Sequence, residues 1–123
     1  MTDFRREMTI TLDGRPLLLK GRFECLSAIE GASGKMVSEI VADVAKGKVS
    51  VDLIPAIIYG GLVGAGNPEG LTLEKVQEMC VDSGIFNLVP DVTKFFLLCI
   101  SKKPGAKEET PKNEVGSEQN PAP

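Results

Sequence analysis

The first regular pattern along the chain is an alternation. Met8, Ile10 and Leu12 are separated by Thr9 and Thr11, the two-residue period of a half-buried strand. Asp13-Gly14 follows at once, and Asp-Gly between two such runs predicts a type I′ turn, whose central residues both need positive φ. A two-residue loop sets Leu12 opposite Arg15, Ile10 opposite Leu17 and Met8 opposite Leu19, so the large apolar side chains other than Leu18 share one face. Pro16 then faces Thr11 in a non-hydrogen-bonded pair, where its missing N–H costs nothing. A lone hairpin is marginal in water, so this face must lie on something, and the rest of the chain reads as helical.

Phe23, Leu26 and Ile29 recur at helical spacing until EGASG, where Gly31 and Gly34 supply C-terminal punctuation. Met36, Val37, Ile40, Val41 and Val44 form the stripe of an amphipathic helix closed by Lys46-Gly47. Ser50 is a good N-cap for a helix through LIPAIIYGGLVGA, with Asp52 and Pro55 in its first turn. After an NPEG turn, Thr72 caps a helix bearing Leu73, Val76, Met79 and Cys80, which ends at Ser83-Gly84. A last helix carries Ile85, Leu88, Val89, Val92, Phe96 and Cys99, with a kink expected at Pro90. From Lys103 the text lacks large aliphatic or aromatic residues except Val115, too little apolar surface to offset ordering entropy. The expected fold is α+β and mostly α: an N-terminal β-hairpin (about residues 7–20) packed on a small bundle of four to five helices. These span about residues 23–31, 35–46, 51–65, 72–83 and 85–101. One domain covers 1–102, and a disordered tail covers 103–123.

Composition narrows the classes. The chain has 123 residues, enough for one modest core, and is 42% hydrophobic with no Trp and no His. Its net charge of -3 disfavours nucleic acid. The local excess of Arg5, Arg6, Arg15, Lys20 and Arg22 reads as a solvated hairpin face without interleaved aromatics. Cys25, Cys80 and Cys99 are scattered in apolar surroundings, as buried free thiols in a reducing compartment would be, and without His they make no common metal site. MTDFRREMT has no apolar run behind its arginines, so no secretory signal is expected. The uncharged run from Leu53 to Gly66, fourteen residues, is short of the roughly 18 to 20 that cross a bilayer. A cytoplasmic protein with no membrane partner is expected.

The stretch YGGLVGAGN holds four glycines and poses the main functional question. A phosphate cradle places glycines after a strand and before a helix start. Here they end an apolar segment, their order from Gly61 reverses the dinucleotide fingerprint, and no Lys-Ser or Lys-Thr follows. On a helix, Ala56, Gly60 and Gly64 instead make a stripe of small residues that permits close packing, beside the large stripe of Ile54, Ile58 and Leu62. Glu30 has no identifiable catalytic partner, and no His is present to activate Cys80 or Cys99. No enzyme activity, metal or cofactor is expected; nucleotide binding survives only through the glycines. FFLLCI, residues 95–100, is apolar on every side, either as the central helix or as an interaction surface.

One family shares this order of features: a hairpin with LDGRPLLL, a helix ending in IEGASG, then VADVAKGKVSVDLIPAIIYGGLVGAGNPEGLTLEKVQEMC and an apolar C-terminal helix. Over about residues 5–101 the chain resembles the small tail assembly chaperones of tailed bacteriophages and gene transfer agents. The resemblance implies a non-enzymatic assembly factor in the bacterial host cytoplasm, some of whose relatives also have a longer, frameshifted form. Its implied partners are the hydrophobic helical tape measure protein and tail-tube subunits, with self-association also open. The alternative is a structural tail-tube or tail-completion subunit. Candidate contact residues are Phe95, Phe96 and Leu98, then Ile58 and Leu62, with helix-in-groove packing as the mode.

Overall fold

In the computed structural model, which describes residues 5–103, β1 (Glu7–Leu12) and β2 (Arg15–Lys20) form an antiparallel hairpin. Its register is the expected one: Leu12 faces Arg15, Thr11 faces Pro16, Ile10 faces Leu17 and Met8 faces Leu19. Asp13 and Gly14 take φ values of 51° and 77°, as a type I′ turn requires. Ile10, Leu12, Leu17 and Leu19 are buried on the inner face, and Leu18 is exposed on the outer one.

Five α-helices follow: α1 (Phe23–Ser33), α2 (Val37–Ala45), α3 (Leu53–Gly64), α4 (Leu73–Asp82) and α5 (Val89–Ile100), with a 3-10 turn (Ile85–Leu88) leading into α5. α1 runs through Gly31 and ends at Gly34, which takes the left-handed conformation (φ 72°) and donates its N–H to Glu30 O at 2.9 Å. Its inward face is Cys25 and Ile29, four residues apart. Phe23, two residues before Cys25 and so about 200° around the helix, points into solvent at 80% exposure. α2 is a lighter element with Ile40 as its buried residue. Its first turn is held by two carboxylates: Glu30 accepts from Val37 N–H at 2.8 Å and Glu39 from Met36 N–H at 3.0 Å.

α3 is the centre of the molecule. Leu53 to Ile58, Gly60 to Leu62 and Gly64 are buried, and the helix packs on α1, β2, α4 and α5. Ser50 Oγ accepts from Leu53 N–H at 3.3 Å at its start. At its end the Asn67 side chain closes the NPEG turn, accepting from Leu71 N–H at 3.1 Å and donating to Leu71 O at 2.9 Å. Thr72 caps α4 through Lys75 N–H at 3.1 Å. Pro90 does not kink the last helix. It sits in the first turn of α5, where its missing N–H is one of the donors a helix start leaves unpaired anyway.

Two long-range bonds tie the hairpin to the helices at opposite ends. At the turn, Asp13 N–H donates to Ser83 Oγ at 2.6 Å, and that hydroxyl donates to Met79 O at 2.8 Å. At the open end, Arg6 Nη2 donates to Ser101 O at 2.8 Å, and Gly21 N–H donates to Arg6 O at 2.7 Å. Among the described residues the core holds no buried polar or charged side chain, and no single helix is long and apolar enough to cross a membrane. The tail expected to be disordered lies, beyond residue 103, outside the described residues.

Candidate functional site

The glycine stripe is where α3 meets its neighbours. A Cβ on Gly60 would stand 2.8 Å from Cys25 O and press into Ile29, and one on Gly61 would stand 2.6 Å from Leu19 Cβ. One on Gly64 would overlap the Lys20 carbonyl. Ala56, one helical turn before Gly60, is buried as well. The space a phosphate would need is filled by α1 and β2, and these glycines lie toward the carbonyl end of α3, where the helix dipole repels an anion. Glu30, considered above for proton chemistry, is committed to Val37 N–H.

Most of the expected contact residues lie inside. Phe95, Phe96, Ile58 and Leu62 are buried in the core, so a partner reaches none of them without opening the fold, and their placement on a surface is corrected. The reason is α5's phase. Val92, Phe95, Phe96 and Cys99 form its inward stripe, Leu98 is half-buried, and Leu97 and Ile100 emerge outside, Leu97 at 46% exposure. FFLLCI is thus a core-facing helix side with an apolar rim; the central helix is α3.

The surface carries two opposed features. At the open end of the hairpin Arg5, Arg6, Lys20 and Arg22 surround a shallow cleft of about 420 Å³, with exposed Phe23 on its edge. Among the described residues the one carboxylate lining this cleft is Glu7, which pairs with Lys20 Nζ at 3.6 Å. The outer side of α4 presents Glu74, Glu78 and Asp82 with exposed Val81; Lys75 lies against Glu78 at 3.8 Å, a solvent-exposed pair. Phe86, 65% exposed, lies in the 3-10 turn that follows α4. α4 ends at Ser83, bound to the hairpin turn, whereas the basic cleft sits at the hairpin's open end. Six-residue strands separate the two ends by about 20 Å.

Phe23 is the residue that the pattern alone misplaces. Assigning it to the inward stripe of α1 leaves the N-terminal cations without an aromatic neighbour. The signal that finds it is the pair Cys25 and Ile29, whose i, i+4 spacing matches the glycines of α3 and turns Phe23 outward.

Other titrating groups are ordinary surface or core elements. Lys35 Nζ donates to Asp43 Oδ2 at 2.9 Å, a bond that lowers the Asp43 carboxyl below its usual range and raises the Lys35 ammonium. The Cys25 and Cys99 sulfurs lie 3.9 Å apart, and the hydrogen bond between them, with burial, holds the Cys25 thiol far above its ordinary value. Burial alone pushes Cys80 up to about 11. Among the described residues no group of three or more Cys, Asp or Glu is placed to hold a metal ion.

The family described as phage tail tube protein, GTA-gp10, matches residues 5–96. The chain belongs to this family. For this member of a phage tail tube family, the match takes in both charged surfaces and every element up to the middle of α5. It supports membership of a phage-like tail family without singling out the assembly chaperones. No curated protein and no solved structure matches the chain.

Proposed function

We propose that the protein is a structural subunit of a phage-like tail tube, without chemistry of its own, and that copies join head to tail. The observation that carries this reading is the match to the tail tube family over the folded part of the chain. The surface geometry gives it a mode: the cationic, Phe23-bearing corner of one copy meets the acidic α4 face of the next, with Val81 and Phe86 as its apolar contacts. A contact between two different faces repeats, generating a ring if the rotation closes and a filament if it does not. The charges steer approach and fix orientation, while the buried aromatic supplies affinity.

Sedimentation of the purified chain tests this reading. Association weakens as salt is raised. Phe23→Ser and Val81→Ser, both at exposed positions, each stop growth when alone, and mixed they form only one-to-one dimers, because each keeps one intact face. A chain that stays monomeric at every concentration and salt, and is absent from purified mature particles, overturns the structural reading.

That second outcome favours a tail assembly chaperone, acting in the bacterial cytoplasm and covering the apolar helices of a tape measure protein. The observation on its side is the exposed rim of α5, Leu97 and Ile100 beside half-buried Leu98. Its test is co-expression of the full chain with tape-measure fragments. A soluble complex that Leu97→Asp disrupts supports it, and fragments that precipitate alone sink it.

A further inference from the structure

We propose that Cys25 and Cys99 form a dithiol site that a small-molecule disulfide oxidises to an intramolecular bridge, locking α5 to α1. This inference rests on the protein's interior and does not depend on the tail-tube reading.

The two sulfurs lie 3.9 Å apart, from residues 74 positions apart in the chain, and both side chains are buried. A disulfide holds its sulfurs at about 2.05 Å, so each must advance by about 1 Å, within reach of small side-chain rotations. The slot they occupy is kept open by two glycines. A Cβ on Gly21 would stand 2.7 Å from Cys99 Sγ, and a Cβ on Gly64 would stand 3.1 Å from Cys25 Cβ. Cys80 is buried separately on α4 and serves as an internal control.

Access sets the order of events. Cys25 is fully buried, whereas Cys99 is 6% exposed and next to last in α5, where helix ends open most readily. The Cys99 thiolate attacks one sulfur of oxidised glutathione and expels one glutathione thiolate, giving a mixed disulfide. While the end of α5 is open, solvent reaches Cys25, which gives up its proton and attacks Cys99 Sγ, expelling the second glutathione. Two protein thiols are oxidised and one glutathione disulfide is reduced to two thiols. The glutathione-bearing sulfur has its resolving thiol already beside it, so the mixed species is short-lived.

The full chain is incubated with oxidised glutathione, unfolded in N-ethylmaleimide and mapped by mass spectrometry. Expected are the loss of two hydrogens, a Cys25–Cys99 linked peptide, and alkylation at Cys80 alone. Cys80→Ala leaves closure unchanged. Gly21→Ala, which drives a methyl group against Cys99 Sγ, slows closure by about tenfold or more. If Gly21→Ala fails to fold, Cys25→Ala replaces it, and there the reaction stops at glutathione on Cys99 or at no modification. The bridged protein melts higher by about 5 °C or more, because the link closes a long loop of the unfolded chain. Three alkylated cysteines after oxidation, a bridge that includes Cys80, a stable glutathione adduct on the unsubstituted chain, or a bridged form that melts lower would overturn the proposal.

Discussion

Replacing Gly64 by alanine opposes two terms whose sizes are known. In a helix interior Ala is favoured over Gly by about 1 kcal/mol, so a glycine with empty space beside it should gain stability on substitution. Gly31 in α1 is such a site, since a Cβ there meets nothing within 4 Å. At Gly64 the new methyl overlaps the Lys20 carbonyl, a backbone atom. That carbonyl cannot swing aside. Lys20 is the last residue of β2, paired with Glu7, and the next residue, Gly21, donates its N–H to Arg6 O at 2.7 Å. Overpacking against an immobile neighbour costs about 3 kcal/mol, and at Gly64, the last residue of α3, the helix gain is at most about 1 kcal/mol, so the net expectation is a loss of at least about 2 kcal/mol. At about 4 to 8 °C per kcal/mol for a domain this size, Gly31→Ala raises the melting temperature by about 4 °C and Gly64→Ala lowers it by about 10 °C. Thermal unfolding followed by circular dichroism, with urea unfolding as a second measure, gives both numbers. A Gly64→Ala protein as stable as Gly31→Ala would refute the claim that α3 meets the hairpin backbone at Gly64.

Three further outcomes follow from single contacts. Phe96→Ala empties a fully buried site and should cost about 3 to 5 kcal/mol, whereas Leu97→Ala at the exposed rim should change stability by less than about 0.5 kcal/mol, both read by urea unfolding. Ser83→Ala removes the acceptor of Asp13 N–H and should cost about 1 kcal/mol, with faster hydrogen exchange at Asp13 and Gly14 and none at Lys75. The Asp43 carboxyl, lowered by its bond to Lys35, stabilises the fold above the unfolded value of 3.8, and that contribution disappears as pH falls through the folded value. The stability difference between the wild type and Asp43→Asn should therefore narrow below about pH 4; an unchanged difference at pH 2 would show that the pair adds nothing.

The hairpin was legible residue by residue because its alternation, its Asp-Gly turn and the position of Pro16 all specify the same register. Consistency among independent local signals is what makes a register unique. The helices were legible in number and order, since caps such as Thr72 and stops such as Gly34 mark their ends chemically. Their phases were not. An apolar residue in the first turn satisfies a 3.6-residue pattern whether it points in or out, and only the partner helix decides. α1 presents Cys25 and Ile29 to the glycines of α3, and this turns Phe23 away from the core. α5 was ambiguous for the opposite reason: six consecutive apolar residues have no phase at all until the hairpin and α3 select Phe95 and Phe96.

The same logic explains why the two charged surfaces emerge only in three dimensions. The N-terminal excess of arginines and the acidic outer side of α4 are both visible as composition, but their separation is not. That separation is set by the hairpin. Its turn is fastened to Ser83 at the end of α4, and its open end carries Arg6 and Lys20 beside Arg22 and Phe23. The length of two six-residue strands puts about 20 Å between the basic open end and the turn fastened to the end of α4. Across that distance screening removes most of any attraction between the two ends, since it acts beyond about 8 to 10 Å, and charges are paired locally instead, Lys20 with Glu7 and Lys75 with Glu78. The most legible element of the sequence is thus the one that gives the molecule its polarity.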